Sequence, residues 1–211
     1  MTHPIMTCLW FDKQAKEAFS FYQSVFPDIQ LISENPFTVN YTLAGRRFMH
    51  LNGGPEFKIN PSISFFYNAE NEEEIDRIWA SLIEGGNIMM PLNTYPWSSK
   101  YGWVADRFGV NWQLMLDHKS GDKVYPSMMF TGENNGKAAE AIDYYTSIFP
   151  NSKSRFQTTT CVSAAMPLEC ALRADEAGHE LVGGVRQDAL RDVVLHEMPV
   201  AHDRDTVAEL D

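Results

Sequence analysis
Apolar and polar positions alternate with two periods along this chain, and the switches between them mark its elements. Thr7 to Pro27, TCLWFDKQAKEAFSFYQSVFP, reads as a short apolar strand, a polar turn and an amphipathic helix. Ala15, Ala18, Phe19, Tyr22, Val25 and Phe26 recur at the spacing of one buried helix face. Pro27, which has no N–H to donate, ends the helix. Ile29–Ser33, Thr38–Leu43 and Arg47–Leu51 follow as strands, separated by Asn35-Pro36 and Ala44-Gly45 and closed by Asn52-Gly53-Gly54-Pro55. The opening unit is therefore β-α-β-β-β.

The order then repeats. Ser62–Tyr67 is a strand, and the helix after it starts at Asn71, a fitting N-cap with Glu74 three residues on. Ile75, Ile78, Trp79 and Leu82 form its core face, and Gly85-Gly86 stops it. Strands around Asn87–Met90, Gly102–Ala105 and Asn111–Leu116 complete a second β-α-β-β-β unit. After the polar linker DHKSGDK a third begins: YPSMMF, then GKAAEAIDYYTSIFPNSK. There Ala138, Ala141, Tyr145, Phe149 and Pro150 match Ala15, Ala18, Tyr22, Phe26 and Pro27 at one constant offset. The expected organisation is a complete domain over 1–117, a linker over 118–123, the start of a second copy over 124–156, and an unmatched tail over 157–211.

The tail changes character. No Phe, Trp or Tyr follows Phe156, and the three expected strands are hard to find; Gln187–His196 reads as a short helix. Two accounts stand side by side: a foreign or frame-shifted C-terminus, or a diverged tail packed on the repeat helix. A lone strand–helix piece buries too little apolar surface to fold alone, so 124–156 is expected to lean on the first domain or on another chain.

Composition narrows the function classes. The 211 residues are 44% hydrophobic, which is globular, and a formal charge of -11 argues against nucleic acid and anionic membrane surfaces as partners. Cys8, Cys161 and Cys170 have no metal-type pair spacing and are odd in number, so no disulfide framework is expected. The N-terminus lacks the charge and apolar run of a signal peptide, and no run is long enough to cross a bilayer. A cytoplasmic protein is expected.

LWFDKQAKEAFSFYQSVFP, RFMHLNGGPEFKINPSISFFY, EEEIDRIWASL and YGWVADRFGVNWQLML resemble the PhnB-like branch of the glyoxalase or vicinal-oxygen-chelate superfamily, often labelled the 3-demethylubiquinone-9 3-methyltransferase family. The resemblance spans Ile5–Leu116 and, a second time, Val124–Lys153. It implies an α+β fold of the glyoxalase/bleomycin-resistance/dihydroxybiphenyl-dioxygenase type, with paired units curling an open sheet around a cavity and a second, incomplete copy. It also implies a small-molecule ligand, a homodimer and, for an enzyme, lyase, isomerase or dioxygenase chemistry on a divalent metal held by the first and last strands of each unit. Ile5, Met6, Thr7, Pro61 and Ser62 fill two of those positions without a useful ligand. His50 and Gln113 are left as the candidate catalytic or metal-binding residues, fewer than the three protein ligands usual at a catalytic site. A pocket without a cofactor is the expectation, with non-catalytic sequestration or a dimerising scaffold as alternatives.

Nucleotide methyl donors call for a glycine-rich loop between a strand and a helix, and none of Gly53-Gly54, Gly85-Gly86 or Gly183-Gly184 has that setting. Trp10, Met49, Asn52, Tyr101, Trp103 and Trp112, with Trp97, are the candidate ligand-binding residues, since aromatic walls with a few polar groups suit a small, flat or apolar ligand. Cys8 reads as a buried structural thiol. His196, His202, Asp203 and Asp205 cluster in the tail, where solvated surface is the simpler account than a metal site.

Overall fold
The computed structural model describes residues 5–117, 122–130, 132–149 and 152, and as backbone the short strands at 168–171, 180–182, 185–187 and 194–197. The first unit runs β1 (Thr7–Phe11), α1 (Ala15–Val25), β2 (Ile29–Glu34), β3 (Thr38–Leu43) and β4 (Arg46–Asn52). The second runs β5 (Ile63–Ala69), α2 (Glu72–Leu82), β6 (Asn87–Tyr95), β7 (Ser98–Ala105) and β8 (Asn111–Leu116). Each folds in the same strand order, first–fourth–third–second, with the first and fourth strands parallel. A parallel pair needs a crossover, and the helix supplies it.

Helix α1 buries the side chains its period assigns to the core, Ala15, Ala18, Phe19, Tyr22 and Val25. It ends at Val25, two residues before the proline: the cap residue Phe26 is extended at φ -99°, ψ 133°, because the ring of Pro27 disfavours a helical preceding residue. The Arg77 guanidinium of α2 donates to the Val25 carbonyl at 2.8 Å and caps that end. At α2 the Asn71 side chain accepts from the Glu74 N–H at 2.8 Å, while the Glu74 carboxylate turns to the Glu70 N–H at 2.8 Å and the Tyr67 hydroxyl at 2.7 Å. Trp79 lies over Gly102, where a Cβ would come within 2.6 Å of the indole.

Helix α1 packs on the first sheet, α2 on the second and the two on each other, giving one core. Phe48 of β4 meets Phe65 of β5 at 5.4 Å, and Phe26 meets Trp112 of β8 at 4.7 Å. The β3–β4 hairpin turns through Ala44 (φ 49°) and Gly45 (φ 80°). That left-handed pair is the geometry Asn-Gly prefers and Ala resists. Ala44→Asn is expected to raise stability by about 0.5–1 kcal/mol, read as a higher urea midpoint at unchanged slope.

β9 (Val124–Phe130) adds antiparallel to the free edge of β5, and α3 (Ala138–Ile148) follows it. The tail does contain strands: β10 (Leu168–Ala171), β11 (Glu180–Val182), β12 (Val185–Gln187) and β13 (Val194–Glu197). β13 lies parallel to β9, repeating the first–fourth pairing of the other units, and β10 is antiparallel to β13. The helix expected over Gln187–His196 is corrected at both ends, since Gln187 belongs to β12 and Val194–His196 to β13. Residues 188–193 between them, and His202, Asp203 and Asp205, lie outside the described residues.

Candidate functional site
Strand parity distributes the candidate residues over three separate places. On β4, Phe48 and His50 face α1, while Met49 faces the other way, beside Cys8 of β1. His50 is fully buried, in contact with the rings of Phe11, Tyr22 and Tyr41. Its Nδ1 sits 2.9 Å from the Ala15 carbonyl and its Nε2 2.7 Å from the Tyr41 hydroxyl. A carbonyl can only accept, so Nδ1 carries the proton and Nε2 accepts from Tyr41. Burial holds the ring's pKa down at about 4, against the opposing pull of the Ala15 bond. Two residues on, the Asn52 amide oxygen accepts the Ala15 N–H at 2.9 Å and its NH2 donates to the Pro36 carbonyl at 3.1 Å. Gln14, at the N-cap, offers no side-chain bond, so β4 caps and anchors the start of α1 from outside the helix.

The second place is the far face of the second sheet. On β8, Trp112 and Leu114 face the helices, and Asn111 and Gln113 face away. There the Tyr101 hydroxyl donates to the Gln113 amide oxygen, the Gln113 NH2 donates to the Ser64 hydroxyl at 2.7 Å, and the Trp103 N–H donates to Asn111 at 3.0 Å. Tyr101 and Trp103 pack with Phe66 and Tyr125, and Trp97 stacks on Tyr95 at the edge of this cluster. Trp112 belongs to the core between the sheets instead.

His50 and Gln113 therefore do not converge. They occupy opposite sides of different sheets, each with its polar atoms already engaged. No group of three or more His, Cys, Asp or Glu able to hold a metal occurs among the described residues. The donor set does not fit the metal that the superfamily resemblance implies, and no step is derived through one.

The third place is a cavity of about 520 Å³ between β1, the 57–63 connection, β5, β9 and α3. Of the six aromatic and polar candidates, Trp10 alone is on its wall. Its indole N–H donates to the Gly54 carbonyl at 2.8 Å and its ring meets Phe57 edge-on at 5.1 Å. Gly53 permits that pose, because a Cβ there would lie 2.4 Å from the indole. Cys8, expected to be buried, is exposed on the same wall, and partial burial raises its pKa. The opposite wall carries Met128 of β9, Tyr145 of α3 and Phe149 at the C-cap of that helix.

Those last two were legible only as core. Tyr145 and Phe149 stand where α1 has Tyr22 and Phe26, and both helices end with the same N–H to carbonyl bond, Phe26 to Tyr22 at 2.9 Å and Phe149 to Tyr145 at 3.0 Å. The aromatics of α1 are closed over by Trp112, whereas Tyr145 and Phe149 are half-buried and line open space. A repeat whose following residues, from Gln157 on, no longer match the first unit was the available signal.

The 3-demethylubiquinone-9 3-methyltransferase family profile matches residues 3–115, more than half of the chain. Among solved structures, a Bacillus cereus PhnB protein described as a candidate 3-demethylubiquinone-9 3-methyltransferase is 36% identical; the match covers 55% of this chain and 100% of that one, with a TM-score of 0.51. A Staphylococcus aureus protein is 34% identical over 55% of this chain and 98% of its own, with a TM-score of 0.25. A Pseudomonas aeruginosa protein is 25% identical over 55% and 98%, with a TM-score of 0.47. No curated protein matches the chain. No helix among the described residues is long and apolar enough to cross a membrane. With its two β-α-β-β-β units in matching strand order, the chain belongs to the 3-demethylubiquinone-9 3-methyltransferase family, the PhnB-like branch of the vicinal-oxygen-chelate superfamily.

Proposed function
We propose that this chain is a small-molecule-binding member of the family that takes an apolar ligand into the cavity between β1, β9 and α3. One observation carries the reading: a cavity of about 520 Å³, walled by Trp10, Phe57, Met128, Tyr145 and Phe149, is within the size and character of sites that hold drug-sized molecules. Aromatic faces give such a ligand contact area at little entropic cost, and the anchored indole of Trp10 is a ready stacking surface. The proposal is one of binding. The family description names methyl transfer, but Gly53-Gly54 follows a strand that leads to no helix and Gly85-Gly86 follows a helix, so neither forms a methyl-donor loop.

A neutral solvatochromic dye such as Nile red tests the proposal. Saturable uptake is expected, weakened about tenfold or more by Phe149→Ala and weakened also by Cys8→Phe, which narrows the cavity. Tyr101→Phe, on the far face of the second sheet, is expected to leave binding unchanged. Bound dye is further expected to slow alkylation of Cys8, followed on its own peptide by mass spectrometry. Uptake that is indifferent to Phe149→Ala and Cys8→Phe would overturn the assignment of the site.

A further inference from the structure
We infer that the ligand of this cavity is an amphiphilic anion, an apolar body carrying one acidic group that pairs with Lys58. The inference rests on the cavity being a ligand site, and it adds the charge the ligand must have. Among the described residues of the wall, Lys58 is the single charged side chain, and no Asp or Glu lines the space. Of the six described lysines, Lys16, Lys100 and Lys123 hold ion pairs, while Lys58, like Lys13 and Lys137, holds none; Lys58 differs from those two in standing on the cavity wall. Lys16 meets Glu34 at 2.6 Å, Lys100 meets Asp76 at 2.8 Å, and Lys123 meets Glu70 and Glu74 at 3.0 Å. Lys58 forms no ion pair among the described residues, in a chain with 28 acidic and 17 basic residues.

Its chemistry suits the mouth of an apolar space. The four-carbon stem of a lysine covers apolar surface while its ammonium reaches toward water, so the charge stands at the rim and the ligand's body lies inside. Asn60, two residues on and also on the wall, has its amide oxygen taken by the Ser62 N–H at 2.9 Å. The face it leaves open is its NH2, a donor. A cation and a neutral donor on one short connection, with Glu56 of that connection off the cavity wall and no acid on it, recognise a carboxylate or a phenolate and give a cation no partner there. The protein's overall charge would repel such a ligand at long range, so recognition must come from this local pair.

The decisive comparison is between two probes with one chain length, dodecanoate and dodecan-1-ol, each displacing Nile red from the full chain at mildly alkaline pH. Dodecanoate is expected to bind about fivefold more tightly, the effect of one partly exposed ion pair, and the margin should shrink as salt is raised. Lys58→Gln should erase the preference, Lys58→Glu should reverse it, and Lys13→Gln, away from the cavity, should leave it intact. Equal binding of the two probes by the unaltered chain, or a preference that survives Lys58→Gln, would overturn the inference while leaving the cavity as a ligand site. Failure of both probes to displace the dye, with the dye itself not bound, would overturn the ligand site as well.

Discussion

Replacing Asp106 by alanine is expected to destabilise the fold by about 3–5 kcal/mol. Asp106 is buried at the β7–β8 turn and accepts four hydrogen bonds. Its Oδ1 takes the N–H groups of Phe108 at 2.8 Å and Val110 at 3.0 Å, which shape the turn. Its Oδ2 takes the Tyr22 hydroxyl at 2.6 Å and the Trp112 indole N–H at 3.1 Å. The Tyr22 bond ties α1 of the first unit to the closing hairpin of the second. Alanine would leave four donors without an acceptor, and in a buried site each orphaned donor costs about 1–3 kcal/mol, though not additively. Burial outweighs these donors and raises the carboxyl above its usual range, so its charge is held at a cost that the four bonds only partly offset.

Asp106→Asn separates the two halves of that effect. The amide oxygen can still accept from Phe108 and Val110, but the NH2 cannot accept from Tyr22 or Trp112. A loss of about 1–3 kcal/mol is expected. In a double-mutant cycle, Tyr22→Phe should cost much less in the Asn background than in the unaltered chain. Urea unfolding of the four proteins measures it. Additive losses would show that the hydroxyl–carboxylate bond does not couple the two units.

Asp106 also shows where the sequence stops being readable. The helix faces, the strand order and the Asn71 cap follow from local periodicity and from residue types with one dominant use. In YGWVADRFGVNW, by contrast, an Asp before Arg and ahead of a Gly reads as a solvated turn residue, and nothing nearby in sequence points to Tyr22. Its burial is decided by how the two units dock. Parity carried more information than the residue types it sorted. Once Phe48 is inside, His50 must be inside as well, and once Trp112 faces the helices, Gln113 cannot. Aromatic content marked Tyr101, Trp103 and Trp112 as a group, yet alternate strand positions send them to opposite faces of one sheet. The cavity wall drawn from α3 was the hardest part to see, because Tyr145 and Phe149 are the same residues that α1 buries completely.

His50 is expected to make the protein acid-labile, through a loss of about 3 kcal/mol as the pH falls from about 6.5 to about 4. The direction follows from proton counting. Burial lowers the folded-state pKa to about 4, so in that window the unfolded chain binds a proton at this residue and the native chain does not. Stability then rises with pH across the window and falls as acid is added; below about 4 both states are protonated and the contribution is gone. The native ring has no way to accept the proton cheaply. Nδ1–H already donates to Ala15, and protonating Nε2 would make the Tyr41 hydroxyl the acceptor, leaving its own O–H without the ring nitrogen it donates to and a charge inside a cage of aromatic side chains. His50→Gln should therefore be less stable at neutral pH by about 1–2 kcal/mol but lose less on acidification, so that the two stability curves converge toward pH 4. Unfolding free energies across that range measure the difference in slope directly. Parallel curves would mean that the acid sensitivity originates elsewhere and that His50 is not the neutral, doubly bonded ring its surroundings require.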